Sequence, residues 1–502
     1  MAIPLVYLCI VVAQDATLAR EAIWRNQTFL LLVRSTGLAA AVTSTAVLLA
    51  LALSWLLMRT DLPGRRLWTV LLTLPLVIPS YIAAYLMVSA IGPRGLVQDL
   101  LQEPFGIERL PSVYGFFGAW LVLTLSTYPL ALLTINAALA RVDPQLEEAA
   151  RGMGRSGWSA YRTVVLPQLV PAIGAGALLI ALYALSDFGA VAIMRFDSFT
   201  RAIYTSYRAS FDRVGAASLS ALLVVLMFGV LWLEARTRRR RPYHRTAPGV
   251  ARLPRAVALG RWRWPALAFC GLVALVALVL PVTVLVYWSL QSVAGEVDWS
   301  DIWSAAGRSM LAAGLAAGLA AACAIPVAML AARYPSRVSA LIERVGFTGY
   351  ALPHIVVALA LVFFGTRVAL PLYQTLAMLV FAFVVLMLPL AVGATRASLL
   401  QVSPRVEEAA RSVGRGPFAV LRTITAPLAA GGVLAGAALV FLTAVKELPA
   451  TLILAPIGFE TLSTEIWSAS SVAFYERGAI PSLVLLVISA PALYLLTTRQ
   501  HP

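Results

Sequence analysis

A polar, arginine-rich stretch occurs twice in an otherwise apolar chain, at residues 142–167 (VDPQLEEAARGMGRSGWSAYRTVVLP) and 402–427 (VSPRVEEAARSVGRGPFAVLRTITAP). The copies align without a gap at an offset of 402 − 142 = 260, and each lies between long apolar runs. Apolar runs of about 20 residues cross a bilayer as helices, because lipid offers no partner to backbone N–H and C=O groups. The chain is therefore expected to be an all-α integral membrane protein in which two equivalent polar sites stand outside the lipid.

The local physics of one polar stretch follows from its residues. Asp143 before Pro144, and Ser403 before Pro404, place a side-chain acceptor at a helix N-cap and a proline at the first helical position, where its missing N–H costs nothing. Glu147, Glu148, Glu407 and Glu408 follow near the positive end of the helix dipole, and Glu147/Arg151 and Glu407/Arg411 have the favourable i, i+4 spacing. Such a helix is expected to be polar and exposed. Gly154 and Gly414 can adopt the left-handed conformation that ends a helix, so the chain turns before re-entering the apolar phase at Pro167 and Pro427. The expectation is a helix-turn-helix elbow on the membrane surface.

The two elbows resemble the EAA pattern of the permease subunits of binding-protein-dependent ABC importers. In this chain the pattern reads Glu148-Ala149-Ala150, Gly154, Val164, Leu166-Pro167, and again Glu408-Ala409-Ala410, Gly414, Ile424, Ala426-Pro427. Val164 replaces an isoleucine and Ala426 a leucine, both mild apolar changes. The resemblance implies that each elbow docks one copy of an ABC ATPase subunit, two in all, and that a periplasmic or extracellular solute-binding protein delivers the cargo. It implies that ATP and Mg belong to the partner subunits, with no cofactor in this chain. Glu148 and Glu408 would ion-pair with basic groups on the ATPase, and the location would be the bacterial inner membrane with both elbows cytoplasmic.

Composition agrees on the class. Of 502 residues 60% are hydrophobic and 12% charged, with a mean hydropathy of +0.85, which excludes a soluble globular domain. Nearly all of the positive charge is arginine, since Lys446 is the one lysine, and it points to the cytoplasmic side of a membrane rather than to nucleic acid. Cys9, Cys270 and Cys323 all lie in apolar runs without metal-ligand or disulfide spacing and are expected to be packing residues.

Beyond a short apolar start at residues 3–13, spans are expected near 29–58, 67–91, 113–140, 168–193 and 215–234, then 264–290, 308–332, 346–365, 371–395, 428–455 and 479–497. That makes about twelve helices in two halves. The apolar start is too short to cross alone, so its helix is expected either to begin upstream of Met1 or to be a short one packed on its neighbours. Arginine-rich loops put the elbows inside and residues 92–112 outside. The halves are 1–235 and 264–502, joined by a basic linker at 236–263 with ten arginines and no acid, expected to be flexible and suited to anionic lipid. Early positions pair at an offset of 308 − 34 = 274, as Arg34-Ser35 with Arg308-Ser309 and Pro79 with Pro353, and later ones at 260. An even number of spans per half makes the two six-helix repeats parallel.

Ionisable residues at membrane depth are functional candidates because burying them is costly. Asp187 and Glu447 stand 260 residues apart, each closing the helix after an elbow, either lining a pathway or capping helix ends at the outer mouth, with Lys446 beside Glu447 as an ion-pair partner. His354 follows Pro353 as Ser80 follows Pro79, a shared place beside a helix-kinking proline that suits a pathway lining as well as a satisfied buried histidine. Residues 205–210 (TSYRAS) and 465–470 (EIWSAS) fall in outward loops suited to receiving a partner. The chain shows no Walker lysine loop, glycine-rich phosphate cradle, catalytic triad or fixed metal-ligand set. It is not expected to hydrolyse ATP itself.

Residues 185–212 and 446–467, in the fused two-half arrangement, are most similar to those of ferric-iron permeases, whose sister families carry thiamine or phosphonates. Asp187 and Glu447 would then offer a hard cation transient oxygen ligands rather than a closed cage. An ion-coupled secondary transporter is the alternative from a different class, and it has no use for two identical docks.

Overall fold

A computed structural model of the chain describes all residues except 1, 94, 107–110, 141, 143, 239–256, 295–296, 335, 340, 343–348, 350–351 and 499–502. The described residues are helical, with one isolated parallel bridge between Thr60 and Val257. In the first stretch α1 (Ala2–Gln14), α2 (Ala16–Trp24) and α3 (Asn26–Arg59) follow one another across short breaks. They lead to α4 (Arg65–Thr73), a 3-10 turn, α5 (Ser80–Ile91), α6 (Leu96–Phe105) and α7 (Phe116–Leu139). The elbow helix α8 (Pro144–Gly152) precedes α9 (Leu166–Ser186), α10 (Gly189–Ile193), α11 (Phe199–Arg208) and α12 (Arg213–Arg238).

The second stretch runs α13 (Arg263–Ala274), α14 (Leu280–Ala294), α15 (Trp299–Arg333), α16 (His354–Arg367), α17 (Leu376–Gln401) and the elbow helix α18 (Pro404–Ser412). It ends with α19 (Ala426–Ala444), α20 (Pro449–Leu454), α21 (Leu462–Ser471) and α22 (Tyr475–Thr498). Among the described residues eight helices are long and apolar enough to cross a membrane, or nine when the bent pair on either side of Pro79 is one span.

Several expected spans are broken. The one expected at 67–91 stops at a 3-10 turn over Leu74–Val77 and restarts at Ser80 behind Pro79, whose fixed φ and missing N–H suit a helix start better than a helix middle. The one expected at 428–455 stops at Ala444 and restarts at Pro449. The apolar start is a 13-residue helix, α1, whose Tyr7 ring lies 4.6 Å from that of Phe363 in α16. Of the cysteines Cys270 is buried as expected, whereas Cys9 and Cys323 are exposed on α1 and α15 rather than packed.

By contacts the chain divides into two compact units, one of residues 1–23, 203–221 and 288–502, the other of residues 24–202 and 222–287. In each unit the first helix comes from the other stretch of sequence. Thus α1 sits with α16, while Ala277 and Pro281, between α13 and α14 and in α14, face Pro75, Met87 and Val122 across a small apolar cavity.

The core of each unit rests on close helix approach through small residues, as membrane helices pack where lipid is no less apolar than their own side chains. In α15, Ala312, Ala316, Ala320, Ala324 and Ala328 form one buried stripe, and Ala328 packs with Leu399 of α17 and Ala429 of α19. Gly176 of α9 lies so near α7 that a methyl group there would stand 2.9 Å from Ala131 Cα, and Gly436 of α19 repeats this at 3.0 Å from Ala391 Cα of α17.

Candidate functional site

Both elbows are built as the sequence suggests at their C-terminal ends. Gly154 and Gly414 have φ of +86° and +84°. In the first copy Gly154 N–H donates to Arg151 O at 3.0 Å and Arg155 N–H to Ala150 O at 3.2 Å; in the second Gly414 and Arg415 do the same to Arg411 O and Ala410 O at 3.0 and 3.2 Å. These paired bonds close off the last carbonyls of α8 and α18. At the other end, Ser403 has an extended backbone at the N-cap of α18 with Pro404 next, but its side chain makes no capping bond; Asp143 lies outside the described residues.

The way back into the membrane differs from expectation. Helix resumes already at Gly157 and Pro417, not at Pro167 and Pro427, and passes through a wide π turn, Tyr161–Val165 and Leu421–Thr425, directly before each proline. The wide turn makes room where a proline ring otherwise collides with the carbonyl of the preceding turn. Each elbow is clamped across its turn by an arginine: Arg155 Nη1 donates to Thr163 Oγ1 at 2.6 Å and Arg415 Nη1 to Thr423 Oγ1 at 2.9 Å.

The expected Glu–Arg pairs along each elbow helix are displaced by a stronger one. Glu147 accepts from Arg59 Nη1 at 2.9 Å, and Glu407 accepts from Arg333 Nε at 3.1 Å and from Thr425 Oγ1 at 3.1 Å. Arg411 stands 3.8 Å from Glu407, a weak second contact, and no Glu147–Arg151 ion pair is present among the described residues. The long pairs win because they are dry: side-chain exposure is 5% and 17% for Arg59 and Glu147, and 10% and 6% for Arg333 and Glu407. Arg333 also donates to Leu399 O at 3.1 Å and Val402 O at 2.8 Å, the last carbonyls before the second elbow. The elbow helix is thus not exposed all round. Glu148, Glu408, Ala149 and Ala409 face outward, while Ala150, Ala410 and Glu407 are buried and Glu147 is half-buried. Arg59 and Arg333 carry no local sign of this role in the sequence beyond the offset of 333 − 59 = 274 that also pairs Arg34 with Arg308.

At the opposite end of α9 and α19 four of the five membrane-depth candidates come together as two pairs, Lys446 standing apart. Ser80 Oγ donates to Asp187 Oδ2, and Asp187 Oδ1 accepts from Ala190 N–H at 2.9 Å, capping α10. In the second copy His354 Nδ1 lies 2.7 Å from Glu447 Oε2, and Glu447 Oε1 accepts from Ala450 N–H at 3.2 Å in α20. The backbone carbonyls of the two acids hold hydroxyls equally, Thr200 Oγ1 at 2.6 Å and Thr451 Oγ1 at 2.6 Å. Ser80 and His354 each stand first in a helix, α5 and α16, behind Pro79 and Pro353 at the N-cap, so the prolines start helices here instead of kinking them. Glu447 therefore takes His354 rather than Lys446, which has no ion pair among the described residues.

No group of three or more His, Cys, Asp or Glu able to hold a metal exists among the described residues. Residues 205–208 and 465–470 belong to helices α11 and α21, with 209–210 in the turn that follows α11, and Tyr204 meets Trp467 edge to face at 6.5 Å. Of the linker, residues 239–256 lie outside the described residues. Its end is not free: Val257 N–H donates to Arg59 O at 2.8 Å and Leu259 N–H to Asp61 Oδ1 at 2.9 Å.

Residues 46–241 and 324–499 match the family described as binding-protein-dependent transport system inner membrane component. The chain belongs to this family. Among relatives of this permease, the Fe(3+)-transport system permease protein FbpB 2 of Haemophilus influenzae is 34% identical over an aligned length of 502 that covers 99% of this chain and 95% of the relative. The molybdenum transport system permease protein ModB of Escherichia coli is 34% identical over 217 residues, 40% of this chain and 93% of the relative. The sulfate transport system permease protein CysT of Escherichia coli is 28% identical over 199 residues, 38% of this chain and 70% of the relative. The chain is thus a multi-pass inner-membrane permease of an ABC importer.

Proposed function

We infer that this permease forms the membrane path of an ATP-driven importer for ferric iron. The observation that carries the cargo is the 34% identity to a Fe(3+)-transport permease across 99% of this chain, both copies of every element included. ModB, whose match spans 40% of this chain, fits the view that two permease repeats are fused here, each with six spans and a cytoplasmic elbow.

In this reading each elbow docks one ATPase subunit, which carries the ATP and Mg, and a solute-binding protein delivers cargo to the outer face. Closure of the ATPase pair moves the elbows, and the repeats alternate between inward and outward access. Asp187 and Glu447 place carboxyl oxygens at the breaks of α9–α10 and α19–α20, where helix continuity is already lost and a hard cation finds oxygen donors. Both carboxylates already accept protein hydrogen bonds, so they suit brief contact rather than a resident site. The test is uptake of labelled ferric iron by cells carrying the complete importer, beside labelled thiamine, phosphonate and molybdate. Iron uptake that needs this permease supports the assignment, whereas transport of another of these solutes without iron replaces the cargo and leaves the permease standing.

A further inference from the structure

Two long helices, α3 with 34 residues and α15 with 35, carry the same grips at the same spacing. At one end of α3, Arg59 holds Glu147 of the first elbow; at one end of α15, Arg333 holds Glu407 of the second. Near the other ends, Ser35 Oγ accepts from Phe199 N–H at 3.0 Å and Ser309 Oγ from Leu462 N–H at 2.9 Å, each fixing the start of an amphipathic helix, α11 or α21. The neighbouring arginines add a second hold, Arg34 to Asp197 at 3.1 Å and Arg308 to Gly458 O at 2.8 Å. The grips are separated by 59 − 35 = 24 and 333 − 309 = 24 residues. At 1.5 Å per residue that is about 36 Å, more than the roughly 30 Å hydrocarbon core, so each helix reaches from one membrane face to the other.

Between the grips the helices are built not to flex independently of their surroundings. The alanine stripe of α15 and Ala39, Val42, Ala46, Ala50 and Leu53 of α3 are buried. A helix packed along its length moves with its neighbours, because close-packed interiors transmit displacement instead of absorbing it, and in α15 the packing continues past Pro326 to buried Ala328. The elbow ends are fixed by dry, charge-assisted pairs, which resist slipping.

We propose that α3 and α15 are the rods that carry motion between the ATPase docks and the outer amphipathic helices, and that Arg59 and Arg333 are the positioning residues through which each rod grips its elbow. The proposal rests on the importer function proposed for this chain. It divides the two elbow glutamates by role: Glu147 and Glu407 bind the rod, leaving Glu148 and Glu408 for the ATPase.

The experiment uses the complete importer, permease with ATPase and binding protein, reconstituted in lipid vesicles. Three variants are compared with wild type: Arg59→Gln/Arg333→Gln, the charge swap Arg59→Glu/Glu147→Arg with Arg333→Glu/Glu407→Arg, and Ser35→Ala/Ser309→Ala. The readout is cargo moved per ATP hydrolysed, with stimulation of hydrolysis by the binding protein. The first variant is expected to lose about tenfold in cargo per ATP, the charge swap to recover much of it, and the serine variant to lose binding-protein stimulation although it lies a membrane thickness from the ATPase. Undiminished binding-protein stimulation in the serine variant overturns the rods, as does an unchanged ratio of cargo to ATP in a folded glutamine variant. Should Glu148→Arg/Glu408→Arg still co-purify with the ATPase, it is the elbow docking itself that fails, a result separable from either of these.

Discussion

His354 Nδ1 faces Glu447 Oε2 at 2.7 Å, in the place where the first copy sets Ser80 against Asp187. One position pair thus performs the same joining of a new helix to a broken one with two chemistries, a short hydroxyl and a short carboxylate in one copy, a longer ring and a longer carboxylate in the other. Both members of the pair are longer in the second copy than in the first. The pairing locks α5 and α16 to the ends of α9 and α19, the helices that the elbows lead into.

That equivalence is testable by exchange. Glu447 is buried with His354 Nδ1 as its side-chain partner, and in the tautomer that carries its proton on Nδ1 the ring donates to the carboxyl. His354→Ala removes the donor and leaves a buried acceptor, a loss of about 1–3 kcal/mol. His354→Ser with Glu447→Asp rebuilds the pair of the first copy and is expected to restore most of the thermal stability that His354→Ala loses, read by melting in detergent. Equal melting temperatures for His354→Ala and wild type would show that the pair bears no weight.

The outward carboxylates of the elbows are predicted to be the ones the ATPase reads. Glu148→Arg/Glu408→Arg changes two exposed side chains, so the permease should insert and melt as wild type. Co-purified ATPase is expected to fall about tenfold or more, since facing like charges at an interface costs several kcal/mol. Retained ATPase in that double variant would falsify the docking assignment.

Much of this was legible in the sequence where chemistry is local. Pro404 and the two glycines mark the elbow within a few residues, and both glycines take positive φ as their position demands. The depth candidates were visible too, but not their pairing. Ser80 and Asp187 are 107 positions apart, and the early and late parts of the chain follow offsets of 274 and 260, so an alignment of one copy on the other keeps each equivalence yet says nothing of contact. Arg59 and Arg333 escaped notice for a related reason. At the ends of apolar runs they resemble any charge that stops a span, and only the fold brings them to Glu147 and Glu407. The π turns before Pro167 and Pro427 carry no sequence signature beyond the prolines themselves.

A pH effect is expected from α21. Burial pushes the Glu465 carboxyl above its ordinary range; Glu460, Asp301 and Asp298 push the same way, and Arg477 opposes. A raised value means the folded state holds the proton more firmly than the unfolded chain. Its contribution is therefore fully present below the ordinary glutamate value near 4.3 and is lost as pH rises through the raised one. Glu465→Gln, neutral at every pH, should melt higher than wild type at pH 7, with the gap closing toward pH 4. A gap independent of pH would place the effect elsewhere than this carboxyl.

The small-residue seams make the sharpest prediction about packing. A methyl group at Gly176 would meet Thr134 Oγ1 at 2.8 Å and Ala131 Cα at 2.9 Å, and one at Gly436 would meet Ala391 Cα at 3.0 Å. Backbone atoms cannot swing aside, so α9 must part from α7, or α19 from α17, by several tenths of an ångström along their length. Overpacking of this kind costs about 1–3 kcal/mol, more than the roughly 0.5–1 kcal/mol that alanine returns through helix propensity. Gly393 in α17 is the control, since a methyl group there meets nothing within 4 Å and the propensity gain stands alone. Gly176→Ala and Gly436→Ala are thus expected to lower the melting temperature in detergent, and Gly393→Ala to leave it equal or raise it. The same sign for all three substitutions would mean that these helices do not approach each other as closely as the glycines permit.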